Sequence, residues 1–362
     1  MQVIDTDSHL REEWFLDEVY NLDGEFARYK PKRVGDGRLI DSKFEYEFYP
    51  WSDDHKKAFD HMWIYHPKNK WLGGGIAELQ KGGWDMEQRL VHNETAGIDK
   101  QFLFPTGIST PALKEGPLGA ALARSYNDWV RELVRGHEDK LYPVAIAPAG
   151  HPEAMADELR RCVKELGFKA GHLVPFSKTR TLDDEAFFPY YEAAEELGVP
   201  LFAHPNSRGP SQSMFKSFFP IHVLGRPFNC AMALVGLVTG GVFEKFPKLK
   251  VVFFECTAEW PLYWMHRMDD DFEYMQHGFS DLKTKPSELV KRNCYFTCEA
   301  DEVPMTRTLE EIDVSHILFA SDYPHFDSEH PNTVKDLAAR KDLTDKQTQM
   351  ILGENARELL NL

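Results

Sequence analysis

From about residue 90 onward the chain repeats one unit: a short apolar run, then a stretch with helical periodicity. The runs lie at 101–105, 141–147, 168–175, 199–204, 249–255, 294–298 and 316–322, and residues 3–7 add an eighth. Runs that are apolar throughout belong to parallel strands covered on both faces. Short connections with helices between the strands fit that reading. Eight such units predict an α/β fold, a (β/α)8 barrel of the TIM type. A doubly wound open sheet is the other arrangement, but no Gly-x-Gly-x-x-Gly follows any strand. Residues 1–362 are therefore expected to form one barrel domain, with about 10–89 as an insertion after the first strand. That insertion is rich in Trp, Tyr, Phe and His, and its Gly73-Gly74-Gly75 gives a flexible joint. Such a composition is expected of a segment packed over a site rather than of a linker.

Composition narrows the function. A net charge of −16 argues against nucleic acid or an anionic membrane surface as partner. The five cysteines form no Cys-x-x-Cys pair and lie in apolar segments, so neither a zinc–thiolate site nor a disulfide framework is expected. The first residues, Met-Gln-Val-Ile-Asp, carry no basic or apolar leader, and no run of 18 apolar residues was found. The expectation is a cytoplasmic protein acting on a small molecule.

The strand ends carry the chemistry. In a barrel of this kind the site is built at the C-terminal ends of the strands. The first run ends in Asp7 and His9, the fifth in His204, the sixth in Glu255, and the eighth in Asp322 with His325 just beyond. Strand alternation puts Val3, Asp5, Asp7 and His9 on one face, Glu255 with Val251 and Phe253, and Asp322 with Leu318 and Ala320. Converging imidazoles and carboxylates suit Zn²⁺, Mn²⁺ or Fe²⁺ better than Ca²⁺ or Mg²⁺. Arg208 offers a bidentate partner for a substrate carboxylate. His172 reads as a core histidine, Cys256 as core facing the helices, Lys169 as too near its strand's start to bridge metals, and Arg267 with Asp269 as a structural ion pair.

Five stretches together resemble the amidohydrolase-related branch that includes aminocarboxymuconate-semialdehyde, resorcylate and carboxyvanillate decarboxylases. They are Ile4-Asp5-Thr6-Asp7-Ser8-His9, Ala203-His204-Pro205, Phe246-Pro247-Lys248-Leu249-Lys250-Val251-Val252, Trp260-Pro261 with Arg267 and Asp269, and Ser321-Asp322-Tyr323-Pro324-His325. The resemblance implies a metal-dependent TIM-like barrel with one divalent ion, zinc foremost, held by Asp7, His9, His204 and Asp322. Members of the branch often pair as homodimers. Asp322 falls where the family has an acid that contacts metal and moves protons. One position departs: Glu255 stands where the decarboxylases carry a His. An ionised Glu accepts a proton but donates no hydrogen bond, which favours water activation. The expectation is therefore a metal-dependent hydrolase of a small aromatic or cyclic substrate, with Asp322, Glu255 and His325 as catalytic groups. The alternative is a carboxy-lyase that decarboxylates an aromatic or unsaturated acid.

Overall fold

The computed structural model describes residues 2–12, 16–30, 81–106, 114–175, 180–205, 215, 218–278, 281–325 and 327–362. The aromatic segment read as a lid falls outside the described residues, as do Trp51, Trp63 and Trp71. Among the described residues there are eight strands: β1 (Ile4–Leu10), β2 (Lys100–Pro105), β3 (Leu141–Pro143), β4 (Gly171–Leu173), β5 (Leu201–Ala203), β6 (Val251–Phe253), β7 (Cys294–Cys298) and β8 (Ile317–Phe319). Every pairing between them is parallel. The ladder runs β1-β2-β3 and β4-β5-β6-β7-β8. Single parallel bridges join the two pieces, Ala145 to Gly171 and Ser8 to Tyr323, which closes the expected (β/α)8 barrel.

Helices separate the strands, and local chemistry sets their ends. The Asp85 side chain accepts from the backbone N–H of Gln88 to start Met86–Ala96, and Gly97 ends that helix at φ 76°. Proline opens Pro117–Leu133, Pro261–Met275 and Pro286–Asn293, where its missing N–H is not needed. Helix Phe218–Thr239 follows β5 and carries Pro227 within it. It is also long and apolar enough to cross a membrane by length and composition, but half of its most apolar stretch is buried inside the fold.

Two apolar layers result. Ile4, Phe102, Phe104, Phe202, Val252, Phe254 and Leu318 form one buried cluster, filling the barrel interior. Val251, Phe253 and Phe296 belong instead to the larger cluster between strands and helices. This corrects the expected parity of β6, because Val251 and Phe253 face outward. Glu255 reaches the interior end of the barrel by another route. Its φ is 55°, in the left-handed region, and Asp322 has φ 53°. Strand geometry stops at Phe253 and Phe319, and a reversed backbone re-aims both acids. On β1 the register shifts between Asp5 and Ser8. That irregularity separates Asp5 from Asp7 and His9, which alternation alone would keep together.

Candidate metal centre and active site

Asp7, His9, His204, Glu255 and Asp322 meet at the C-terminal mouth of the barrel. His9 Nε2 lies 3.4 Å from Asp7 Oδ1 and 3.3 Å from Asp322 Oδ1. His204 Nε2 lies 3.5 Å from both Asp7 Oδ1 and Glu255 Oε1. His325 Nδ1 sits 2.6 Å from Asp322 Oδ1, and its ring stacks on that of His9 at 3.9 Å. Phe104, with its ring centroid 4.6 Å from that of His204, lies below the cluster.

The two imidazoles are oriented for ligation. His9 Nδ1 donates to the carbonyl of Pro105 at 3.2 Å, and His204 Nδ1 to that of Pro205 at 2.9 Å. A carbonyl only accepts, so each Nδ1 carries a proton and each Nε2 faces inward, a ligand atom once it is unprotonated. Asp7 Oδ1, His9 Nε2, His204 Nε2 and Glu255 Oε1 are all buried without a hydrogen-bond partner, and Asp322 Oδ1 beside them is met by His325 Nδ1 at 2.6 Å. Leaving such atoms together in the interior is costly unless something charged fills the gap. Bonds of about 2.0–2.2 Å to a common ion put neighbouring ligand atoms roughly 3.0–3.6 Å apart, the spacing seen here. The donor set fits one divalent cation.

The electrostatics point the same way. Burial alone would lower His9, but the Asp322 and Asp7 carboxylates outweigh it and raise His9 to about 10. Burial pushes Asp322 up, yet His325 and His9 hold it well below the usual carboxylate range. Burial lifts Glu255 to about 7 against the pull of Arg226 and His204. A cation introduced here competes with the proton on His9.

A supporting set of residues escaped the sequence reading. Asp5 is fully buried beneath the cluster. Its Oδ1 accepts from the backbone N–H of Ser321 at 3.0 Å and of Asp7 at 3.2 Å. Its Oδ2 accepts from the Ser321 hydroxyl at 2.6 Å and from Gln101 Nε2 at 2.8 Å. Asp5 thus clips β1 to the segment that follows β8 and fixes the backbone beside two of the acids. Arg89 is also fully buried. It donates to Gly82 O, Ser8 Oγ, Gln101 Oε1 and the carbonyl of His9. Arg226, on helix Phe218–Thr239, places Nε 2.9 Å from Glu255 Oε2 and Nη1 3.5 Å from Asp327 Oδ2. A lone Arg in an apolar helical run was the signal available for it.

Of the other expected site residues, Arg208 lies outside the described residues. His172 is core, with its ring 6.1 Å from Phe104 and 6.4 Å from His204. Cys256 is buried in the outer cluster. The expected pair of Arg267 with Asp269 does not form: Arg267 meets Asp271 at 3.0 Å, and Asp269 meets Lys285 at 3.3 Å. The i,i+4 spacing on the helix surface favours Asp271 over a residue two positions away.

Known proteins agree with this architecture. A sequence profile of the family described as Amidohydrolase matches residues 58–362. A 2-amino-3-carboxymuconate-6-semialdehyde decarboxylase of Dictyostelium discoideum is 24% identical, covering 84% of either chain. A gamma-resorcylate decarboxylase of Polaromonas sp. is 26% identical over 79% of this chain and 90% of its own. The crystal structure of a dihydroxybenzoic acid decarboxylase from Polaromonas sp., with bound manganese and 2-nitroresorcinol, superposes with a TM-score of 0.70. It is 23% identical and covers 100% of this chain and 97% of its own. These relatives are decarboxylases, and they overturn the expectation of a hydrolase that rested on Glu255. From the profile match over most of its length, this chain belongs to the amidohydrolase family.

Proposed function

We propose that the protein is a divalent-metal-dependent decarboxylase that removes CO₂, without oxidation, from an aromatic or unsaturated carboxylic acid. The observation that carries the reading is the buried Asp322–His325 contact of 2.6 Å at the edge of the orphaned ligand atoms. It offers a proton donor backed by a second titrating group. The reactions of the relatives support the same choice.

Asp7, His9, His204 and Asp322 would hold the ion, with manganese supported by the neighbouring structure and zinc kept as the alternative. When bound, the ion supplies a Lewis acid that draws the substrate carboxylate into the site. Asp322, kept ionised at rest by His325 and His9, takes up a proton as the substrate reacts and delivers it to the carbon that carries the carboxylate. The bond to the carboxyl carbon then breaks, its electron pair returns to the ring or chain, and CO₂ departs. His325, through Nδ1, returns a proton to Asp322. Its Nε2 lies 3.4 Å from Thr106 Oγ1, whose own proton goes to the carbonyl of Leu10. No water is consumed, so the base read onto Glu255 goes with the hydrolase. His9, stacked on His325, keeps that ring in register with Asp322.

A homodimer is the proposed assembly, supported by the exposed stripe Phe219, Val223, Leu224 and Phe228. A cytoplasmic location is supported by the five cysteines, all free thiols and all buried.

The test is mass balance. Manganese-loaded enzyme is incubated with hydroxybenzoates and unsaturated diacids in D₂O, with CO₂ followed by a coupled assay and the product by proton NMR. One CO₂ per turnover, with deuterium at the vacated carbon, is expected. Turnover that leaves the carboxyl carbon in place and adds water would sink the proposal.

A further inference from the structure

We infer that Glu255 is itself a ligand of the ion, through Oε1, and that Arg226 is the positioning residue that holds it there through Oε2. This rests on the reading above that the site takes one divalent cation.

The two oxygens of Glu255 have different surroundings. Oε2 meets Arg226 Nε at 2.9 Å. Oε1 is buried, has no hydrogen-bond partner, and lies 3.5 Å from His204 Nε2 and 3.9 Å from His9 Nε2. The separation from His204 matches the ones among the other ligand atoms, that from His9 is longer, and Oε1 falls within 4.8 Å of one oxygen of Asp7 and of both imidazoles. A plain structural ion pair explains Oε2 but leaves Oε1 aimed at the cluster with nothing to bind.

Backbone conformation supplies an independent argument. Glu255 is held at φ 55°, as Asp322 is at φ 53°. A non-glycine residue in that region is strained and persists where the surroundings require it. The same departure at two strand ends turns two carboxylates toward one point. Asp7, Glu255 and Asp322 bring three buried carboxyl groups together against the one guanidinium of Arg226, an excess of acids that a cation offsets. Asp327, the other partner of Arg226, is a third exposed and meets Arg226 Nη1 at 3.5 Å through Oδ2. Arg226 therefore faces two acids, and its Nε is committed to Glu255.

The experiment measures metal binding rather than turnover. Full-length wild type, Glu255→Gln, Glu255→Asp, Arg226→Gln and Arg226→Lys are stripped with chelator and titrated with Mn²⁺ by calorimetry. Each is then loaded with Co²⁺ for its visible spectrum. Circular dichroism and thermal melting check that each variant is folded. Loss of an outer partner typically weakens metal affinity by about 10–100-fold. Arg226→Gln should therefore fall by about 10-fold and Arg226→Lys by less. Glu255→Gln should fall by roughly 100-fold, with a changed Co²⁺ spectrum that reports a lost ligand. Glu255→Asp keeps the charge but withdraws the oxygen, so it should change the spectrum while folding as wild type. If Glu255→Gln and Glu255→Asp are folded, bind Mn²⁺ within about twofold of wild type and keep its spectrum, the assignment is wrong. If the wild type itself binds no divalent ion, the functional reading fails first, and that outcome is visible before any variant is compared.

Discussion

Asp5→Asn tests the clip that closes the barrel under the site, and the structure sets the size of the effect. The substitution keeps the shape of the side chain but turns one of two acceptor oxygens into a donor. Four donors converge on the native carboxylate, two at each oxygen. If the new amide nitrogen takes the Oδ1 place, it faces the backbone N–H groups of Ser321 and Asp7, neither of which can turn away. If it takes the Oδ2 place, the Ser321 hydroxyl can rotate to accept, but Gln101 Nε2 cannot. Flipping Gln101 would withdraw Oε1 from Arg89 Nη1 at 2.8 Å and from Asn93 Nδ2 at 3.2 Å. The cheaper choice leaves one buried donor unsatisfied and loses one hydrogen bond. That amounts to about 2 kcal/mol, within a range of roughly 1–3. Burial also holds Asp5 up to about 7, so replacing it with a neutral amide recovers part of the desolvation cost and pulls the figure toward the lower end. Urea unfolding at pH 7.5, in chelator so that metal does not mask the loss, reads the difference directly. A midpoint indistinguishable from wild type would mean that the clip does not hold β1 to the end of β8.

Further tests address the site and the fold's response to acid. His204→Ala removes an inward lone pair, and elemental analysis of purified protein should show most of the divalent ion gone. Equal metal in mutant and wild type would remove His204 from the ligand set. Asp322→Asn cannot deliver a proton, so kcat for CO₂ release should fall by roughly 10²–10⁴-fold; a loss under threefold would assign the proton to another group. His330 is buried beside the Tyr323 ring, and burial holds it down to about 3. The folded value lies below the unfolded 6.5, so its contribution is complete above about 6.5 and is lost as pH falls toward 3. At pH 5 the loss from this one group is about 2 kcal/mol. His330→Gln should destabilise less than wild type does between pH 7.5 and 5, and equal slopes in urea unfolding would discount the role.

The barrel and its ligand strands were legible in the sequence because both depend on local pattern. Fully apolar runs at regular spacing mark buried parallel strands, and a carboxylate or imidazole at the end of such a run stands out. The means by which those residues converge was not legible. Alternation assigned Glu255 to the face of Val251 and Phe253, yet those two pack against the helices, and Glu255 turns inward only because its φ is 55°. No pattern in residues 254–256 announces that reversal, since left-handed backbone at a non-glycine residue is imposed by tertiary contacts. The same holds for Asp5, whose partners Ser321 and Gln101 lie 316 and 96 residues away. Arg226 shows the consequence for function. Replacing an imidazole by Glu looked like a device for activating water as long as Glu255 was considered alone. With Arg226 at 2.9 Å, its carboxylate is neutralised from behind and aimed from in front. That arrangement favours an ionised group bound in place over one that takes up and releases a proton in each turnover. The substitution can then alter the ion's surroundings while leaving the proton work to Asp322 and His325, so a Glu at this strand end is compatible with a decarboxylase.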